Sequence, residues 1–289
     1  VSSEGDHRRK IGIAVSPGKA SFAPLLFAGR IEEAVQTAVD LQLDCLELSV
    51  RDPEWVSSAE LRALLETSGL TVSAVATGQA CLADGLCLAA TDKNVRAAAV
   101  ERFVAQIALA AEFDAAVILG GVRGRLVASG AERERRHAEA VEAIRECAAA
   151  AAASGVAVML EPINRYEIDF VRTAEEGLAL IEEVASPALR LLLDSFHMNI
   201  EERSMAAAIR RAGDLLGYVH LADSNRHAPG QGHVDFGEVF EALDEVGYQG
   251  PLVSEILPLP DDLTAARHAA EFLRTAVGAQ SSAQAKGGI

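Results

Sequence analysis

Lysine is scarce. Only Lys10, Lys19, Lys93 and Lys286 occur in 289 residues, and 42 acidic residues against 26 basic ones give a formal net charge of −16. Such a surface field repels phosphate backbones, so no nucleic-acid partner is expected. No run of 18 or more uncharged apolar residues occurs, which argues against a transmembrane helix. The opening VSSEGDHRRK carries no apolar stretch of signal type, so no membrane partner is expected and the expected location is the cytoplasm. Cysteine is also sparse. Cys45, Cys81, Cys87 and Cys147 show no CxxC or other close metal spacing, which argues against a thiolate metal site and leaves four free thiols in a reducing compartment as the expectation. After the first apolar run, IGIAV, the chain reads SPGKASFAP. This is not the GxGxxG loop that an open dinucleotide-binding sheet would place there.

What is present is hydrophobic residue in abundance, half of the chain, in short apolar runs that alternate with longer amphipathic ones. That succession predicts strands and helices in turn, hence a parallel sheet. Strands are expected near 11–15, 45–50, 71–76, 115–119, 156–160, 190–193, 217–221 and 251–256, with helical spacing in the segments between. Gly69, Gly155 and Gly247 stand where left-handed caps would close helices. Eight strand–helix pairs fit an α/β fold of the (β/α)8 TIM barrel type, which needs roughly 250 residues and carries its active site at the strand C-termini. The expected organisation is a single domain over residues 11–278. Residues 1–10 and 279–289, polar and poor in bulky apolar groups, are expected to be disordered.

Four of the apolar runs end in a ligand-type side chain: Glu161 after VAVML, Asp194 after LRLLL, His220 after GYV and Glu255 after PLVS. Taken singly, each is equally well a strand-end polar group satisfied by backbone amides. Together they come from the fifth, sixth, seventh and eighth strands, which barrel closure brings toward one point. Three oxygen donors and one imidazole suit a divalent metal, Mn²⁺ foremost, with Mg²⁺, Co²⁺ and Zn²⁺ also compatible. The loops that follow are polar. Arg165 and Glu167 come after Glu161, where a mutual salt bridge and a functional role are both open. His197 and Arg226 share loops with Asp194 and His220, and are read as substrate contacts.

The segments EPINRYEIDF, LLLDSFHMNIEE, HLADSNRHAPGQGHVDFG and SEILPLP resemble the motifs of the xylose-isomerase-like barrel superfamily, in its ketose 3-epimerase branch. LSVRDPEWV, ATGQACLADGL and ILGGVRGR are most similar to those of 5-keto-L-gluconate epimerases. The resemblance implies a metal held by Glu161, Asp194, His220 and Glu255, catalysis by Glu161 and Glu255, and substrate contacts from Glu167, His197 and Arg226. It also implies a small-molecule sugar or sugar-acid substrate and allows a homo-oligomer, dimer or tetramer. SPGKASFAP, with Phe22 its single aromatic residue, is poorer in aromatics than the segment simple-ketose epimerases often carry there, which weakens the implication of plain ketose specificity.

The implied reaction inverts a hydroxyl-bearing carbon next to a ketone through an enediolate, with a base on one face and an acid on the other. Shortly after ILGG come Arg123 and Arg125, each equally open to being solvated or paired with Glu132 or Glu134 and to gripping a carboxylate at the barrel mouth. The resemblance tips the expectation toward a keto-sugar acid of the 5-keto-L-gluconate or D-tagaturonate type, with a ketose the other option. An alternative is hydroxypyruvate isomerase or another sugar isomerase of the same superfamily. An apurinic endonuclease is disfavoured by having 7 histidines and an acidic chain. A non-catalytic barrel is disfavoured because both glutamates are retained.

Overall fold

The computed structural model describes residues 8–20 and 24–287. Eight strands, β1 Ile11–Val15, β2 Cys45–Ser49, β3 Thr71–Ala76, β4 Ala116–Leu119, β5 Val158–Leu160, β6 Leu189–Asp194, β7 Leu216–His220 and β8 Leu252–Ser254, lie in sequence order in one closed barrel. Every neighbouring pair is parallel, including β8 with β1. The helices are α1 Ile31–Asp40, α2 Ser58–Ser68, α3 Gly78–Asp84, α4 Lys93–Ala111, α5 Gly130–Ala153, α6 Ala174–Val184, α7 Ser195–Glu201, α8 Met205–Ala212, α9 Phe236–Glu245 and α10 Asp262–Gly287. The short α3 and α7 are additions to the expected pattern, inserted in the loops after β3 and β6. Among the described residues no helix is long and apolar enough to cross a membrane.

The strands are buried on both faces, as a helix-covered parallel sheet requires. Side chains such as Leu46, Leu48, Leu191 and Val219 pack outward against the helices. Cys45, Met159, Leu192, Tyr218 and Val253 fill the barrel interior. Because strand side chains alternate with period two, the residues two positions further on, Glu47, Glu161, Asp194, His220 and Glu255, also belong to the inward rows. Gly69 closes α2 in the left-handed conformation, and Gly155 and Gly247 likewise have positive φ.

Three expectations meet a different outcome. Residues 8–10 fall inside the segment expected to be disordered, yet Arg9 is buried, donating to Tyr248 O at 2.8 Å and to Asp244 at 2.6 Å; residues 1–7 lie outside the described residues. The last helix continues to Gly287, past the expected boundary at 278, since the alanines and glutamine there favour propagation of a helix already begun. Cys81 and Cys87 are not free thiols but form a disulfide, Cα–Cα 5.0 Å. Gly85, left-handed at the end of α3, turns the chain back on itself and brings Cys87 beside Cys81. Cys45 and Cys147 are free and buried, but cysteine usage no longer argues for a reducing compartment.

Candidate metal centre and active site

At the C-terminal mouth of the barrel, Glu161, Asp194, His220 and Glu255 each offer one ligand atom, all within 4.8 Å of one another, and all four residues are buried. Local structure frees the right atoms. Asp194 spends Oδ1 on capping α7, accepting from Phe196 N at 2.8 Å, and its Oδ2 is buried without a hydrogen-bond partner. His220 Nδ1 is likewise buried and without a hydrogen bond, 3.5 Å from Glu161 Oε1. Gly120, at the end of β4, leaves room for the Glu161 carboxylate, because a Cβ there would stand 2.5 Å from Oε2.

The electrostatics of this cluster call for a cation. Burial, with the Glu255 and Glu161 carboxylates adding, pushes Asp194 up to about 7 against the pull of His220 and Arg226. Burial also raises Glu161, although the neighbouring His220 imidazole opposes it. For His220, burial is outweighed by Glu47 and Glu161, and the imidazole rises well above its ordinary value. Crowded buried carboxylates and unpartnered donor atoms fit a divalent ion of the oxygen- and imidazole-binding kind.

Glu47 escaped the reading of the sequence. It lies on β2, fully buried, and its Oε2 is 2.7 Å from His220 Nε2. A carboxylate on one ring nitrogen fixes the tautomer and leaves the other nitrogen free to bind metal. Glu47→Gln is therefore expected to weaken Mn²⁺ binding by about 10- to 100-fold while leaving the fold intact. Metal titration checks this, and unchanged affinity would remove Glu47 from the site.

His197 and Arg226 both reach the cavity, with Glu167 beside them. Asn164, also missed, accepts from Tyr166 N through Oδ1, which orients its amide to donate to His197 Nδ1 at 2.9 Å and to Glu167 Oε1 at 2.9 Å. His197 thus carries its proton on Nε2, which faces Glu161 Oε1 at 3.8 Å and Asp194 Oδ2 at 3.7 Å. Burial, followed by Arg226, His220 and Arg123, keeps this ring well below its ordinary value and hence neutral. Arg226 donates to Glu255 at 2.8 Å and to Glu167 at 3.2 Å. Its glycine-rich loop is tied together by the buried Asp223, which accepts from Ser224 N, Gly230 N and Val234 N. Arg165 does not pair with Glu167; it binds Glu201, with Nε at 2.8 Å.

The expected pair of mouth arginines is corrected. Arg125 lines the cavity and is exposed, but Arg123 is fully buried and cannot touch substrate. A single 3₁₀ turn over Gly121–Arg123 directs its side chain inward, where it donates to the carbonyls of Leu119, Glu161, Phe170 and Val171. Burial lowers its pKa to about 10, with Glu161 and Glu176 opposing. Arg123→Ala would orphan these carbonyls and is expected to cost about 3–5 kcal/mol of stability. Urea unfolding at unchanged m-value measures it, and a loss under about 1 kcal/mol would contradict this structural role.

The family described as Xylose isomerase-like TIM barrel matches residues 35–276. An L-ribulose 3-epimerase of Mesorhizobium japonicum is 34% identical over 247 residues, covering 85% of this chain and 80% of that protein. An L-ribulose 3-epimerase of a Methylomonas species is 46% identical over 125 residues, so this chain spans only 43% of that relative's length. The solved structure of an L-ribulose 3-epimerase superposes with a TM-score of 0.81 at 29% identity, covering 97% of this chain and 98% of that one.

Proposed function

We propose that this chain, which belongs to the xylose isomerase-like TIM barrel family, is a divalent-metal-dependent sugar epimerase. It would invert the hydroxyl-bearing carbon next to a ketone. The observation that carries the reading is the placement of two carboxylates, Glu161 beyond β5 and Glu255 beyond β8, in one buried cluster facing one cavity. The epimerase names of the relatives support it.

Glu161, Asp194, His220 and Glu255 would hold the metal. Bound there, a divalent ion would polarise the ketone and the neighbouring hydroxyl oxygen and stabilise charge developing on them. The chain's own groups supply the rest. One of the two glutamates removes the proton from the carbon and the other delivers one to the opposite face, the roles exchanging with direction. Arg226 holds Glu255 in position by its 2.8 Å hydrogen bond. His197, neutral and protonated on Nε2, presents a donor to a substrate oxygen in the space before Glu161 and Asp194. Glu167, anchored by Asn164 and Arg226, offers an acceptor to a sugar hydroxyl.

The finer substrate reading, a keto-sugar acid of the 5-keto-L-gluconate or D-tagaturonate type or else a ketose, now rests on Arg125 alone among the two arginines singled out. If a carboxylate is gripped there, Arg125→Ala lowers efficiency on a keto-uronate by about 1.5 to 3 kcal/mol and leaves D-tagatose less affected. Equal losses on both would assign the chain to neutral ketoses. The isomerase alternative, hydroxypyruvate isomerase included, returns the proton to the adjacent carbon. Product NMR in D₂O separates them: inversion with deuterium at the inverted carbon is expected, and a displaced carbonyl would favour the isomerase.

A further inference from the structure

The cavity wall facing the carboxylate cluster, built by α3 and the turns after β4, is closed by a covalent bond. Cys81, in the second half of α3, and Cys87, beyond the reversal at Gly85, form the disulfide, and both line the cavity. Neither is fully buried. Cys45 and Cys147 lie in the core, where burial pushes their thiols up to about 12. A reductant entering the cavity therefore meets one sulfur pair and no competing thiol, and an accessible disulfide is the labile kind. Little else holds the bridged stretch. The helix α3 has seven residues, too few to be stable alone, and buries only Gln79 and Ala80. Leu82 is 62% exposed. Asp84 pairs with Arg51 and Arg102, but ion pairs at a surface contribute little.

The bridge reaches the substrate side through the segment after Cys87. Leu88 N donates to Val122 O at 3.0 Å and Ala89 N to Arg123 O at 2.9 Å, which joins this segment to the turn after β4. Arg136, from α5, clasps both, donating to Ala89 O at 3.1 Å and to Arg125 O at 3.4 Å. Arg125 is the cavity arginine on which the keto-acid reading rests. Gly124, next to it, lies directly against Cys87, since a Cβ there would stand 2.7 Å from Cys87 Cβ. Two thiols do not fit the space of one disulfide: each sulfur gains a hydrogen, and the pair must part to non-bonded contact. With Cys87 backed by Gly124, that parting displaces either α3 or the turn carrying Arg125, and both are cavity wall. A shift on the order of 1 Å in groups that position a substrate can cost about 100-fold. The four candidate metal ligands come from the other side of the barrel, on β5 to β8.

We infer that the Cys81–Cys87 pair is a thiol-redox switch on the substrate cavity: oxidised, it holds the wall in the form that binds substrate, and its reduction releases the wall. The step is a two-electron exchange with a dithiol. One thiolate of the reductant attacks a cysteine sulfur, the S–S bond breaks and a mixed disulfide forms. The second thiolate then displaces that cysteine, leaving the reductant as a disulfide and its two protons on the Cys81 and Cys87 sulfurs. The switch goes beyond the epimerase reading and rests on it only for what the cavity binds. The test treats the Mn²⁺-loaded chain and its Cys81→Ser/Cys87→Ser variant side by side with dithiothreitol. Denatured without reductant, the wild-type chain should show two titratable thiols, those of Cys45 and Cys147, and four after reduction. Reduction is expected to speed amide hydrogen exchange over residues 78–90 at least tenfold. It should also lower kcat/KM at least tenfold on D-tagatose or a keto-uronate, whichever is turned over, with Mn²⁺ affinity within twofold. The serine variant should resemble the reduced chain and ignore dithiothreitol. Four thiols at the outset, exchange unmoved by reduction, kcat/KM not lowered by it, or an equal loss when dithiothreitol is added to the serine variant would each overturn the inference. Faster exchange on reduction with neither sugar turned over in either state supports the switch and overturns the epimerase reading instead.

Discussion

Glu161→Gln and Glu255→Gln are each expected to lower turnover by about a thousandfold or more. General acid–base catalysis contributes roughly 10² to 10⁴ in rate, and each glutamate is also assigned to the metal. Glutamine keeps the shape and an oxygen donor but cannot accept the proton. The neighbours differ in a way that makes the two variants informative. Glu161 sits under Gly120 with its backbone carbonyl held by Arg123 at 2.6 Å, whereas Glu255 is held through its side chain by Arg226. Glu255→Gln therefore also removes a charge partner of Arg226, and its effect on substrate affinity should exceed that of Glu161→Gln. Progress curves on metal-loaded variants, followed by NMR in D₂O, measure both. Turnover within tenfold of wild type in either variant would show that proton transfer is done by another group.

Asp194→Ala is expected to abolish stoichiometric metal binding, with affinity falling more than about 100-fold, beyond what loss of an outer partner costs. Its Oδ2 is buried and accepts no hydrogen bond among the described residues, and the nearby His197 ring cannot replace a carboxylate's charge. The carboxylate also caps α7 through Phe196 N, and removing a cap costs about 1 kcal/mol. Asp194→Asn separates the two roles, because the amide oxygen retains the cap while the charge is lost. The expected result is a near-normal melting temperature for the metal-free asparagine variant together with weak metal binding. Full metal occupancy by elemental analysis in Asp194→Ala would remove it from the ligand set.

The site was legible where a side chain's role is written into a strand. Glu161, Asp194, His220 and Glu255 terminate apolar runs, and period-two alternation puts each in the same inward row as Met159, Leu192, Tyr218 and Val253. The same rule, applied to CLELSV, would have placed Glu47 two residues beyond inward Cys45; a charge in mid-run was instead absorbed into the strand. Arg123 was misplaced because its depth depends on a single 3₁₀ turn, and two arginines separated by one glycine look alike until the backbone decides which points inward. Asn164 and Asp223 act through hydrogen bonds across loops, where polar residues have no periodicity to mark them. The Cys81–Cys87 pairing depended on the reversal at Gly85 and not on any metal-like spacing.

The central claim is that one divalent ion, held by these four side chains, is required for proton exchange next to a ketone. It is tested by stripping the chain with a chelator, titrating Mn²⁺ back, and following in the same samples the bound metal and the deuterium entering the inverted carbon. Exchange is expected to be absent from the stripped chain and to rise in proportion to metal bound, reaching its plateau at one ion per chain. Exchange at full rate without metal, or a plateau reached only well beyond one ion, would contradict it.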